Sequence, residues 1–102
     1  MEKIDYNSKN LFIVYAGNKY FGGRFTLCGI KDGDSIKLGV SFLHEGDKFN
    51  RKEGRELAYE RAVNSNWRIP SKTDNPKSNR KMLFVLSDSI EQNLEYYRRH
   101  YI

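Results

Sequence analysis

Arg51, Lys52 and Arg55 crowd one short stretch of the chain, and their neighbours mark that stretch as the start of a helix. Asn50 is a good N-cap, and Glu53 completes a pairing of capping-box type. The first N–H groups of a helix lack intrahelical partners and carry partial positive charge, so guanidinium forks beside them suit a phosphate group. Without an anion the same cations are unfavourable there, by roughly 0.3–1 kcal/mol each when exposed. Arg51, Arg55 and Tyr59 recur at helical spacing and share a face, where the Tyr59 ring offers a surface for a base or for an arginine. The competing reading is a solvated helix on which Arg55 and Arg61 pair with neighbouring glutamates. A second basic cluster spans residues 68–81, where Arg68, Lys72, Lys77, Arg80 and Lys81 face only Asp74. A polar connection held on a rigid scaffold is a common place for binding residues, and a plain surface loop is the alternative.

Catalytic chemistry finds little support. His44 and His100 are far apart in the chain, and Cys28 falls mid-strand with no histidine near it in sequence. No Walker loop, zinc spacing, nucleophile elbow or HExxH helix occurs, and Asp32 and Asp34 lack the remaining positions of a calcium loop. Arg98 and Arg99 lie near a helix C-terminus, where cations are favoured on electrostatic grounds alone. The expectation is a binding protein, not an enzyme, with no cofactor and no metal.

Composition sets the frame for that reading. The chain has 102 residues, 38% of them apolar and 14% aromatic, which fits one domain (1–102) with a thin, aromatic-rich core. Its net charge of +5 is uneven, because most of the excess falls after residue 45. A basic surface gathers polyanions, although a charge of this size is also ordinary for solubility. One cysteine cannot form an internal disulfide. No apolar run approaches the roughly 20 residues that span a bilayer, and the polar opening does not read as a secretory signal. A cytoplasmic protein with no membrane association is expected.

The elements that must position these residues follow from periodicity. Residues 1–9 form a polar lead expected to fray. Leu11–Ala16 is a continuous apolar run, read as a strand buried on both faces, and Arg24–Ile30 reads as a second strand. Lys31-Asp32-Gly33-Asp34 signals a tight turn. Ser35–Leu43 alternates strictly and predicts a strand with one buried and one wet face. A helix follows from Arg51 to about Asn64, with a small-residue stripe of Gly54, Ala58 and Ala62 able to approach a sheet closely. Residues 70–80 are expected as an irregular basic loop, Met82–Leu86 as a buried strand, and the end of the chain as a helix capped at Asp88, with Ile90, Leu94, Tyr97 and Tyr101 on one stripe. The result is an α+β fold of order β-β-β-α-β-α. A three- to four-stranded, mostly antiparallel sheet is packed by two helices on one face, and the third and fourth strands could run parallel through a crossover.

Gly39-Val40-Ser41-Phe42, a short loop, and then Phe49-Asn50-Arg51-Lys52-Glu53-Gly54-Arg55-Glu56-Leu57-Ala58 with Arg61-Ala62 form a pattern over about a quarter of the chain. It resembles small bacteriophage counter-defence proteins, most closely the Thoeris anti-defence nucleotide sponges. In these a GV(A/S)F strand leads through a polar loop to a helix opening F-(N/S)-R-K-x-G-R. Their loop often reads S-P-x-D, whereas here His44-Glu45-Gly46-Asp47 lacks the proline. The resemblance implies a non-enzymatic homo-oligomer in the host cytosol that sequesters a cyclic nucleotide or cyclic ADP-ribose-like immune signal. It carries over Arg51, Gly54, Arg55 and Arg61. The full set of candidate ligand-binding residues is therefore Arg51, Lys52, Arg55, Tyr59, Arg61, Arg68, Lys77 and Arg80. The alternative is a small basic inhibitor of anti-CRISPR type that binds nucleic acid or an acidic surface of a host defence protein.

Overall fold

A computed structural model describes residues 4–18, 23–43, 48 and 50–100; the expected turn residues Lys19 and Gly22, most of the loop 44–49, and Tyr101 lie outside them. Four strands form one sheet in the order β1-β2-β3-β4: β1 (Leu11–Asn18), β2 (Gly23–Asp32), β3 (Ser35–Phe42) and β4 (Arg68–Pro70). Every neighbouring pair is antiparallel. The helices are α1 (Arg51–Val63), α2 (Pro76–Gln92) and α3 (Leu94–His100). The α+β class and the antiparallel sheet are as expected, with α3 added.

Asp32 pairs with Ser35 to close the β2–β3 hairpin, leaving Gly33 first in a two-residue turn at φ +60°. Glycine there provides the positive φ that matches strand twist. Ser8 and Leu11 donate backbone N–H groups to Asp5 and Ser8, and Ile4 and Tyr6 pack against the apolar cluster beside α1.

Helices cover both faces of the sheet, not one. Phe12, Val14, Phe25, Leu27, Ile36, Leu38, Val40 and Phe42 meet Leu83, Ile90 and Leu94 of α2 and α3. On the opposite face Leu11 and Cys28 meet Ala58 and Ala62 of α1. The polar-looking face of β3 is therefore not wet: Gly39 and Ser41 are buried beneath α1. A Cβ built on Gly39 would stand 2.3 Å from both the Ala58 carbonyl oxygen and the Ala62 nitrogen. The absent side chain and the alanine stripe let the helix lie almost on the strand.

Met82–Leu86 is not a strand but the middle of α2. Its burial follows helical spacing, with Asn79, Leu83, Ser87 and Ile90 buried, while Phe84 and Val85 are exposed. An apolar run of five can be read either way by periodicity, and the start signals decide it. Asn75 caps the helix by accepting the Lys77 N–H at 3.0 Å, and Pro76 follows it. Residues expected as a loop from 76 onward are thus helical, and Asp88 lies inside α2, the break falling at Asn93. The fourth strand is Arg68–Pro70. It runs antiparallel to β3, without a parallel crossover, and ends at a proline that has no N–H for the ladder.

The remaining connection, residues 71–75, is pinned by buried polar groups. Asn79 Oδ1 accepts from the buried Ser71 hydroxyl, and Asn79 Nδ2 donates to the Thr73 carbonyl at 3.1 Å. Lys31 Nζ donates to the Ser71 carbonyl at 2.6 Å. Asn79→Leu keeps the volume but strands these groups, which costs about 1–3 kcal/mol. Thermal unfolding is expected to shift down by roughly 4–8 °C per kcal/mol. An unchanged midpoint would mean that the network contributes nothing.

Candidate functional site

The candidate residues do not converge on one point; they divide among three places. At the start of α1, Asn50 Oδ1 accepts the Glu53 N–H at 3.2 Å, which sets the cap expected from the sequence. The Arg51 guanidinium carbon lies 4.8 Å from the centre of the Tyr15 ring, and that of Arg55 lies 4.1 Å from the centre of the Tyr6 ring. Neither arginine forms an ion pair with a glutamate among the described residues. Lys52 is exposed beside them. Tyr59 is half-buried and packs against the Leu11–Cys28–Ala58–Ala62 cluster. Arg55 Nε and the Tyr6 hydroxyl are buried with no hydrogen-bond partner among the described residues. Burial raises the Tyr6 phenol pKa, and the nearby Arg55 charge opposes that shift.

Two further candidates, Arg68 and Arg80, hold the sheet. Arg68 Nη1 lies 2.8 Å from Asp32 Oδ2 and 3.0 Å from Ser35 Oγ, tying β4 to the hairpin, and this guanidinium holds the Asp32 carboxyl below its usual range. Arg80 Nη2 donates to the Ile13 carbonyl at 3.2 Å, on the edge strand β1. Lys77 is exposed at the start of α2, in the layer across the sheet from α1.

Arg61 stands apart. It leaves α1 on the β3 side and donates from Nη1 to the Val40 carbonyl at 2.8 Å. β4 pairs only with Ser35–Lys37, and a bond from Leu38 N–H to the Trp67 carbonyl extends the contact by one residue. The outer edge of β3 beyond Leu38 has no strand partner among the described residues. Arg61 and Arg80 thus cap carbonyls on the uncovered half of β3 and on the edge strand β1, which discourages pairing with other chains.

At this open edge is a cavity of about 480 Å³, lined by Gly39 and Val40, by Leu57, Glu60 and Arg61 of α1 and its C-cap Asn64, and by Trp67 and His100. Burial lowers the Arg61 pKa, and Glu60 opposes this. A guanidinium has five N–H donors, and the Val40 carbonyl is its one acceptor among the described residues. The site therefore joins a partly desolvated cation with spare donors, an amide at Asn64 and the indole of Trp67, whose ring centre is 5.7 Å from that of Tyr97. Sequence reasoning carried Arg61 over from a motif but gave Trp67, Asn64 and His100 no binding role. The one available signal was the chain's single tryptophan placed just after the helix.

Cys28 is fully buried beneath α1, and burial pushes its thiol up to about 12, far from the range of a nucleophile. A folded-state value above the unfolded one stabilises the fold below pH about 9, and that contribution is lost as pH rises towards 12. Thiol labelling at pH 8 is expected to proceed only as fast as the protein opens, and Cys28→Ala is expected to flatten part of the alkaline loss of stability. Rapid labelling of the folded protein would contradict this. Among the described residues no group of three His, Cys, Asp or Glu could hold a metal, and no helix is long and apolar enough to cross a membrane.

No protein-family model, no curated protein and no solved structure matches this chain. The functional reading therefore rests on the site itself.

Proposed function

We propose that this protein binds a small anionic ligand of nucleotide type and releases it unaltered, holding it in the cavity at the open half of β3. The observation that carries the reading is Arg61: a partly buried guanidinium with spare donors that faces a cavity and forms no ion pair among the described residues, although the Glu60 carboxylate lines the same cavity. A desolvated cation of this kind gains most from an anion, because the local dielectric is low and the Arg fork matches phosphate oxygens. The cavity volume falls within the range of about 300–1,000 Å³ typical of small-ligand sites. Trp67 supplies an aromatic surface for a base, and Asn64, whose Nδ2 donates to the Glu60 carbonyl at 3.1 Å, keeps its Oδ1 acceptor and one N–H for the base edge. Arg51 and Arg55, held over Tyr15 and Tyr6, add positive field along the same helix. Sequestration of a cyclic nucleotide or cyclic ADP-ribose-like immune signal, as in phage counter-defence, is the biological role consistent with this chemistry.

Calorimetric titration with cyclic dinucleotides and cyclic ADP-ribose-type compounds is expected to give saturable binding, with the ligand recovered at unchanged mass. Recovery of a cleaved product would refute the non-enzymatic part. Absence of heat and of saturation across the panel would refute the ligand class.

A further inference from the structure

Along α2, Lys77, Arg80 and Lys81 occupy the N-terminal half, and Asp88 and Glu91 the C-terminal half. The first turn has no acidic residue and the last turn no basic one. This order opposes the helix dipole, which favours anions at the start and cations at the end. Between the charged halves, Phe84 and Val85 are 49% and 65% exposed. Helical spacing at about 100° per residue places Lys77, Lys81, Phe84, Val85, Asp88 and Gln92 on one face, opposite the buried Asn79, Leu83, Ser87 and Ile90. The outward face of α2 therefore reads basic, apolar, acidic from one end to the other.

Such a face is complementary to itself when reversed. We infer that two copies of this chain associate through antiparallel packing of their α2 helices about a two-fold axis between Phe84 and Val85. That axis sets Lys81 of one copy level with Asp88 of the partner subunit, and Ser78 level with Glu91 of the partner subunit. Phe84 and Val85 of the two copies form the apolar centre. The pairing also brings each positive helix start to a negative helix end, which offsets the unfavourable charge order within each copy. Isologous contacts of this kind are the commonest in soluble oligomers. The apolar groove between α2 and β4, lined by Ile69, Pro70, Met82, Val85 and Leu86, borders this face and extends the surface available to the partner. A contact built on one helix per copy lies at the small end of specific interfaces, below roughly 1,200 Å² in total, so a weak, concentration-dependent dimer is expected.

Sedimentation equilibrium over a range of concentrations tests this in the full chain. The wild type is expected to dimerise. Val85→Glu is expected to be monomeric throughout, and Lys81→Glu or Asp88→Lys alone to raise the dimer dissociation constant about tenfold through like-charge contacts. The combined change Lys81→Glu with Asp88→Lys is expected to restore association, because each new charge meets its opposite in the partner. Circular dichroism of every variant checks that the fold survives. A wild type that stays monomeric would overturn the inference, as would single reversals that leave the dissociation constant unchanged or a double variant no better than the singles.

Discussion

Gly39→Ala is expected to lower the unfolding midpoint by more than about 12 °C. The new Cβ would stand 2.3 Å from the Ala58 carbonyl oxygen and 2.8 Å from the Ala62 Cα, distances that no Cβ contact tolerates. Both are backbone atoms of α1, so a rotamer change cannot relieve the clash. The helix must lift from the sheet, which loosens the packing of Ala58 and Ala62 over Cys28. Overpacking of this kind costs about 3 kcal/mol, a large part of the 5–15 kcal/mol that holds a typical domain together. Gly33→Ala is the control. Nothing lies within 4 Å of a Cβ there, and only the positive φ is strained, so a loss of about 1 kcal/mol is expected. Equal midpoints for the two variants would show that the close approach at Gly39 does not limit packing.

Arg61→Gln is expected to weaken binding of a phosphate-bearing ligand by about 10- to 100-fold. Charge-assisted hydrogen bonds to an anion contribute about 1.5–3 kcal/mol, and each 1.4 kcal/mol is a factor of ten. Glutamine removes the charge and, being shorter, gives up the reach to the Val40 carbonyl, so a stability loss of about 1 kcal/mol is expected alongside. Arg61→Lys keeps the charge but loses the fork, and an intermediate affinity is expected. Calorimetry on the three proteins, with unfolding midpoints measured alongside, separates binding from folding. Equal affinity in wild type and Arg61→Gln would remove this arginine from the site.

What the sequence made legible was local. The cap at Asn50, the small stripe of α1 and the buried apolar face of β3 are each written within a few residues, and all appear as expected. The Ile90–Leu94–Tyr97 stripe also faces the core, even though Asn93 interrupts the helix that carries it. Misreadings arose where two local signals competed. Met82–Leu86 has the composition of a buried strand, and Pro76 after Asn75 is the start of a helix. The cap prevailed because α2 buries only every third or fourth side chain and leaves Phe84 and Val85 outside. The wet face assigned to β3 failed for another reason: a glycine and small polar residues mark a solvent face or a close helix contact equally well.

The site was the least legible part, since its geometry depends on contacts between distant segments. Nothing near Arg51 or Arg55 in the chain announces Tyr15 or Tyr6 as their ring partners. Arg68 and Arg80 look like free cations in sequence, yet one is paired with Asp32 and the other is bonded to the Ile13 carbonyl. Arg61 acquires its significance only because β4 stops short and leaves the far half of β3 without a strand partner among the described residues. A three-residue strand after an irregular linker gives no such warning.

The most direct measurement is a nuclear magnetic resonance titration of isotope-labelled protein with a cyclic dinucleotide. Saturable shifts are expected at the Trp67 indole N–H, the Asn64 side-chain amide and the Val40 backbone amide, with the ligand signals intact throughout. Shifts confined to α2, or no saturable shift at these three groups, would contradict binding at the open edge of β3.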